Sequence, residues 1–324
     1  MNLSRMLFAT TLWLAPAIAA AQSTTEIDSH SNGKSYTKSG FGARYDYASA
    51  VSATQAASGN TTSRSAWTET SVVVFGHSLS AVRSELLANS NAGAGTSSVQ
   101  HKIYVGSSLK RSPITQGPIT TGLGTSYSHT FAKYTESFTV GPVPMNLTVT
   151  AKADAFTTHY GSLDKTGGQL TLVPQARIGT QLDVGVGIDD VASFGVSGSL
   201  HLLTARLDAE TDAKWTYARV GYGWSCVSED KLAGHLTLDR SRRALDGKIV
   251  LYVEAFWQRA EKTVFDWTGD SDSSRVYEGV PVALKFPALG PAPSGTLPLA
   301  TSSSYACPVK AAPKAALAQT VVTR

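Results

Sequence analysis

The chain has few charged residues and few cysteines for its length. Only 16% of its 324 residues are charged, and only two are Cys. This composition argues against a coiled coil, a long-helix protein or a highly charged disordered chain. The net charge is +4, with no basic stripe interleaved with aromatic residues, so nucleic acid is a poor candidate partner. A chain this long can bury a sizeable core without metals or dense cross-linking.

Long apolar runs are also scarce, and the clearest one is N-terminal. Arg5 precedes an apolar stretch over residues 6–14, which is followed by Pro16 and small residues up to Ala21. This order is typical of a cleavable signal peptide, and the stretch is too short to cross a bilayer of ~30 Å. We therefore predict cleavage near Ala21, a secreted or periplasmic location, and no membrane association of the mature protein.

The two cysteines lie late in the chain. An exported protein meets an oxidising compartment, in which two cysteines are more often paired than free. We predict a disulfide between Cys226 and Cys307, which would tie a late segment to the body of the protein. The CxxC spacing or adjacent His that a zinc site requires is missing.

Apolar and polar residues alternate through much of the chain, as they do in strands with two unlike faces. In the stretch 182–188, every second residue is Leu, Val or Ile, and Asp or Gly lies between them. Turn residues separate such runs, and one hairpin is predicted around the loop at 89–95. We predict an all-β fold of long antiparallel strands and hairpins with little helix, arranged as one or more β-sandwiches or as a β-barrel-like structure.

Composition divides the chain into six sections. They are a signal peptide (1–21), a Ser/Thr-rich and partly flexible section (22–70), an N-terminal β section (71–134), the main antiparallel β domain (135–286), a Pro-rich linker (287–298), and an edge strand with a mobile tail (299–324).

One short motif suggests a hydrolase. The run from Gly76 to Ser80 follows an apolar strand and resembles the nucleophile elbow of the α/β-hydrolases over those five residues, with Ser78 at the nucleophile position. Ser80 replaces the last glycine, where a side chain would interfere with the sharp turn. Because the candidate Asp and His partners lie in predicted hairpins, we favour a structural role for the Ser78 hydroxyl over a catalytic one.

Acidic residues recur in the loop after Trp267. Asp270 and Asp272 alternate with hydroxyl residues, as the oxygen ligands of a calcium site would. The spacing departs from that of an EF-hand, so an ordinary solvated turn is the preferred interpretation. We predict no bound metal and no cofactor.

Aromatic residues indicate binding more clearly. On a strand, Trp215, Tyr217 and Arg219 would share one face, and Tyr222 and Trp224 the other. One of the two sets is expected to be core. If the first set is exposed, its rings beside Arg219 can stack on sugars.

These observations favour a binding or structural protein over an enzyme. The leading hypothesis is an exported β-rich protein whose ligand is a glycan or a cell-surface polymer. The alternatives are an outer-membrane β-barrel protein, suggested by the alternating runs, and a secreted hydrolase that uses Ser78. The sequence leaves the oligomeric state open.

Overall fold

The computed structural model describes residues 22–38, 41–74, 77–140, 143–188, 192–222, 225–255 and 258–289. Within these ranges the regular elements are sixteen β-strands, and every paired neighbour runs antiparallel. The predicted all-β, antiparallel fold with long strands is confirmed. In the same ranges, no helix has the length and apolar character needed to cross a bilayer.

The first sheet, which we call the N-terminal sheet, takes its first six strands in chain order because each folds back on its predecessor. Its strands are β1 (Gln22–Lys38), β2 (Phe41–Ala56), β3 (Thr61–Val74), β4 (His77–Asn91), β5 (Thr96–Val105), β6 (Ser108–Arg111) and β7 (Ile114–Gln116). The last of them, β7, also pairs with β5.

The second sheet, the C-terminal sheet, contains the longer strands. They are β8 (Leu123–Val140), β9 (Val143–Asp164), β10 (Gly167–Ile188), β11 (Ala192–Tyr222), β12 (Ser225–Ala244), β13 (Asp246–Ala255), β14 (Gln258–Trp267), β15 (Asp270–Glu278) and β16 (Val282–Pro287). The main order is β14-β13-β11-β10-β9-β8. The 31-residue β11 pairs with β13 over its first part and with β12 over its second, and β12 also pairs with β15 and β16.

The two sheets pack face to face, as in a β-sandwich. Leu86 and Ile103 of the N-terminal sheet and Leu172, Leu203 and Leu207 of the C-terminal sheet are fully buried in one shared core. Along β11 the buried Leu203, Ala205 and Leu207 are two residues apart, as alternation predicts for one buried face. The C-terminal sheet is much longer, because at ~3.3 Å per residue β11 extends about 100 Å and the longest strand of the N-terminal sheet about 56 Å.

Several local features predicted from the sequence can be compared with the observed strands. The hairpin predicted around 89–95 is confirmed, since β4 and β5 pair across a turn at residues 92–95. The Ser/Thr-rich section 22–70 forms β1, β2 and most of β3. The change from one sheet to the other falls between β7 and β8, ahead of the compositional change near residue 134.

A buried arginine crosses between the sheets. Arg64 of β3 is fully buried, and its Nη2 donates hydrogen bonds to the carbonyl oxygens of Gly168 and Ala213 on β10 and β11. Burial lowers the pKa of Arg64 to about 10, so the guanidinium is still charged at neutral pH. Because a buried donor without an acceptor is costly, these carbonyls fix where β3 sits on the C-terminal sheet.

A buried histidine pair forms a second polar contact between the sheets. Nε2 of His101 on β5 lies 3.1 Å from Nδ1 of His159 on β9, and Nδ1 of His101 lies 2.8 Å from Oγ1 of Thr157. Burial, and next the neighbouring His159, lower the pKa of His101 to about 4. Burial also lowers the pKa of His159. Both rings are therefore neutral at pH 7.

We expect this pair to make the fold sensitive to acid. Both pKa values are depressed in the folded state, so the unfolded chain takes up protons first as the pH falls below 6.5. The stability that the neutral pair contributes is complete above pH 6.5 and is lost as the pH falls toward 4, by on the order of 3 kcal/mol for His101. Urea unfolding at pH 7.5, 6.5 and 5.5 should show a shallower loss in His101→Gln than in the wild type.

The matched control is His129→Gln, since His129 is a partly exposed histidine of β8. It should keep the wild-type dependence on pH. An equal loss of stability in His101→Gln and wild type over this interval would contradict the assignment.

Candidate functional site

Beyond the reach of the N-terminal sheet, the C-terminal sheet continues as six neighbouring strand segments, which we call the distal sheet. They are residues 132–140 of β8, 143–151 of β9, 180–188 of β10, 192–200 of β11, and the whole of β13 and β14. Each segment has nine or ten residues, a length of about 30 Å.

The pairing register gives the distal sheet two unlike faces, because residues directly opposite each other on paired strands share a face. We call the first the apolar face. Its positions are Ala132, Tyr134, Glu136 and Phe138 of β8; Met145, Leu147, Val149 and Ala151 of β9; Thr180, Leu182, Val184 and Val186 of β10; Phe194, Val196, Gly198 and Leu200 of β11; Gly247, Ile249, Leu251 and Val253 of β13; and Ala260, Lys262, Phe265 and Trp267 of β14.

The apolar face is open to solvent. Phe265 is 63% exposed, Phe194 60%, Val253 59% and Tyr134 57%, on four different strands. Soluble monomers rarely expose contiguous apolar surface of this kind, and where they do it marks contact with a protein or a membrane. The distal sheet is therefore the strongest candidate functional surface of the described residues.

The apolar face is a continuation of the core. Along β10, Ala176 and Ile178 are buried beneath the N-terminal sheet. Leu182 lies on the same face four residues further along and is exposed. Along β11, Leu203 is buried and Val196 is exposed. The alternation of apolar and polar residues is therefore the same inside and outside the sandwich. The difference is that the N-terminal sheet covers the apolar face only inside it.

The opposite, polar face is packed and hydrogen-bonded within the sheet, and among its described side chains Oδ1 of Asp183 is buried without a hydrogen-bond partner. Tyr252 is almost fully buried there, and its hydroxyl lies where a Cβ of Gly185 or Gly195 would be. The guanidinium carbon of Arg259 is 4.1 Å from the centre of the Tyr252 ring. Side-chain amides and carboxylates bond to one another nearby, with Nζ of Lys152 2.8 Å from Oε1 of Gln181. Two glycines opposite each other thus let an aromatic side chain lie across two strands.

A cleft of about 610 Å³ opens at the other end of the molecule, between the sheets. Its lining includes Trp215, Tyr217, Lys165 and Lys214. Trp215 is a core residue, because it is 2% exposed, its Nε1 donates to the carbonyl oxygen of Thr61 at 3.0 Å, and its ring lies 5.6 Å from that of Phe286. Tyr217 is half-buried and packs on the same cluster.

Arg219, the third member of the predicted binding set, follows on β11, where its backbone lies opposite Ser228. Its side chain lies outside the described residues. The face of β11 that bears Trp215 and Tyr217 is thus turned toward the N-terminal sheet, and Tyr217 rather than Trp215 is the ring available to a ligand in the cleft.

Ser78 lies at the start of β4, with its backbone opposite Val73 of β3. A hydrolase elbow needs a strand that turns into a helix, whereas β3 turns back into the long strand β4. Gly76 and the side chain of Ser78 lie outside the described residues.

Asp270 and Asp272 lie on β15 beside arginines of β12. Oδ2 of Asp270 accepts from Nη1 of Arg242 at 2.7 Å, and Asp272 pairs with Arg240. These carboxylates are matched by guanidinium groups, which a cation would have to displace. No group of three or more His, Cys, Asp or Glu side chains suited to a metal is found among the described residues.

Of the predicted disulfide, the backbone of Cys226 is described on β12, opposite Gly221 of β11. The side chain of Cys226 and the whole of Cys307 lie outside the described residues.

Comparisons of the chain with protein-family models, with curated proteins and with solved structures find no match. Its function is therefore argued from the geometry of its own surfaces.

Proposed function

We propose that this is an exported binding protein whose ligand is a lipid bilayer, bound through the apolar face of the distal sheet. This proposal departs from the expectation, drawn from the sequence, that the mature protein does not associate with a membrane. The observation that carries the proposal is the exposure of that face on neighbouring strands, with Phe194, Val253 and Phe265 each more than half exposed. Transfer of such side chains from water to an apolar medium is worth about 1.5–3 kcal/mol each. A bilayer supplies that medium over the whole face at once.

The dimensions of the distal sheet support a bilayer as the ligand. Its segments are about 30 Å long, which equals the thickness of the hydrocarbon core, and a strand that crosses a bilayer needs about 9–11 residues. The apolar face is continuous across six such segments. A peptide or small ligand would not require six strands of matched length.

The placement of aromatic residues also supports this ligand. Trp267, Phe265 and Tyr134 lie on the two rows of the apolar face nearest the sandwich. Trp and Tyr concentrate where a membrane meets water, because their rings are apolar and their polar atoms need hydrogen bonds. The sandwich would then stay in water while the distal sheet enters the lipid.

A second candidate function follows from the cleft and retains the ligand class expected from the sequence. Tyr217 lines the cleft together with Lys165 and Lys214. A ring beside charged groups in a concave site, which here include the carboxylate of Asp164, suits a glycan. We propose the cleft as a glycan or surface-polymer site.

The proposed disulfide gains support from where the described residues end. Pro287 at the end of β16 lies opposite Glu229 of β12, three residues from Cys226. The segment that contains Cys307 therefore starts beside its proposed partner. Closing this long loop would stabilise the fold by on the order of 4 kcal/mol through the unfolded state.

For bilayer binding, we expect Phe194→Asp combined with Phe265→Asp to weaken binding to phosphatidylcholine vesicles by at least tenfold, because two charges would replace exposed rings that the bilayer buries. Flotation of the protein with vesicles on a density gradient measures this. Thr263→Asp, on the polar face of the same strand β14, is the matched control and should float as the wild type does. A wild-type protein that stays at the bottom of the gradient would refute the proposal.

For the cleft, Tyr217→Ala should weaken retention on an insoluble polysaccharide about tenfold, since ring contacts are worth ~1.5 kcal/mol. Trp215 is left intact because its replacement would open a core cavity. Tyr104→Ala, on the outer face of β5, serves as the control. Equal retention of Tyr217→Ala and wild type on every polysaccharide that the wild type binds would exclude Tyr217 from the site.

For the disulfide, the intact mass of protein recovered from the exported fraction should rise by two hydrogens on reduction. Alkylation before reduction should leave both cysteines unmodified. Two alkylated cysteines in the unreduced protein would show free thiols instead.

A further inference from the structure

The two outer strands of the distal sheet, β8 and β14, need backbone hydrogen-bond partners that lipid does not supply. Among the described residues, β14 pairs only with β13, and β8 only with β9. Within the described ranges, each therefore has one row of backbone N–H and C=O groups without a strand beside it. In a hydrocarbon core such groups are strongly destabilising, because no water is present to bond to them. If the distal sheet enters a bilayer, as the proposed function requires, both edges need a strand as partner.

The direction of the two outer strands makes them suitable partners for each other in different copies. The distal sheet has an even number of antiparallel segments, so β8 and β14 run in opposite directions. When β14 of one copy lies beside β8 of the next, the two strands are antiparallel, like every other pair in the sheet. The apolar face can then continue from copy to copy on the same side.

The charges at these edges are complementary. The apolar face carries two charged residues, and they lie at its opposite edges in the same row: Glu136 on β8 and Lys262 on β14. Following the pairing from β8 to β14 on the polar face leads in the same way from Lys133 to Asp266. An in-register contact between copies therefore places Lys262 opposite Glu136, and Asp266 opposite Lys133.

Glu136 and Lys262 are destabilising in lipid when no neighbouring copy lies at the two edges. A charge on a lipid-facing surface needs a partner of opposite sign. Within one copy four strands separate Glu136 from Lys262, and Glu136 accepts a hydrogen bond from Tyr134 on its own strand at 2.6 Å between Oη and Oε2. The neighbouring copy brings the opposite charge to each edge.

We propose that copies of this chain assemble head to tail on the bilayer, with β14 of one copy pairing with β8 of the next and Lys262 facing Glu136 across the contact. This interface is heterologous, so repetition gives a row of copies in which both edges of every inner copy are paired. The in-register contact leaves this row open, because closing a sheet into a ring requires a staggered register. The proposal rests on bilayer binding and adds the partner that binding requires.

Charge reversal at the two edges tests the pairing. Glu136→Lys and Lys262→Glu each place like charges across every contact, so each variant alone should lose at least tenfold of the vesicle-dependent multimers. An equal mixture of the two variants should recover them to within twofold of wild type, because alternating copies then meet with opposite charges at every contact. The double variant should also recover. Cross-linking on phosphatidylcholine vesicles, followed by denaturing electrophoresis, measures the multimers.

The mixture provides the decisive outcome. A folding defect in either variant could not be repaired by mixing, and recovery in the mixture requires contact between unlike edges. Multimers of either single variant at the wild-type level would overturn the proposal, as would recovery in the double variant but not in the mixture.

The second charge pair gives an independent test on the polar face. Lys133→Asp and Asp266→Lys should behave in the same way, singly and mixed. Flotation of all variants should stay at the wild-type level if only the contact between copies is affected. Flotation without multimers of the wild type would refute this inference and leave bilayer binding standing, whereas loss of wild-type flotation would refute both.

Discussion

The difference in length between the two sheets is the constraint on which the rest of the structure depends. Strands of the N-terminal sheet reach at most 17 residues, whereas those at the centre of the C-terminal sheet have 22 and 31. A sheet with one apolar face is stable in water where a second layer covers that face. Here the N-terminal sheet ends before the strands of the C-terminal sheet do. The fold therefore has a two-layer sandwich and, beyond it, a single amphipathic sheet whose apolar face has no second layer over it within the described ranges.

The polar contacts between the sheets lie in the sandwich. Arg64 bonds to the carbonyls of Gly168 and Ala213, and Oδ2 of the buried Asp230 accepts from Gln55 and Asn60 at 3.2 and 2.9 Å. Such buried bonds fix one arrangement of two layers, because a shift would leave charged groups unpaired. The described strands of the N-terminal sheet pack mainly on β8 to β12. The distal sheet can therefore meet a partner without disturbing the core.

The sequence predicts strands well and their surroundings poorly. Alternation around Leu182 indicates one apolar face, and the structure has that face, but only the position of another sheet decides whether it is core or surface. Trp215 shows the converse, since its indole is buried by packing and donates to the carbonyl oxygen of Thr61, a residue 154 positions away. The run around Ser78 matches an elbow over five residues, while the direction of the chain beyond it depends on pairing with β3. Local patterns do not contain the pairing register between strands that are distant in the sequence, and that register decides which face is covered.

The distal sheet has two separate requirements: burial of its apolar face and hydrogen-bond partners for its outer strands. One kind of partner does not supply both. Its polar face already packs within the sheet, since Tyr252 lies over Gly185 and Gly195 and the side chains around Gln181 bond to one another. The apolar face needs a medium without water, and the edges need backbone donors and acceptors in a line. Lipid meets the first demand and offers nothing to the second. Another copy meets the second through strands of the right length, direction and charge, which is why the two proposals are coupled.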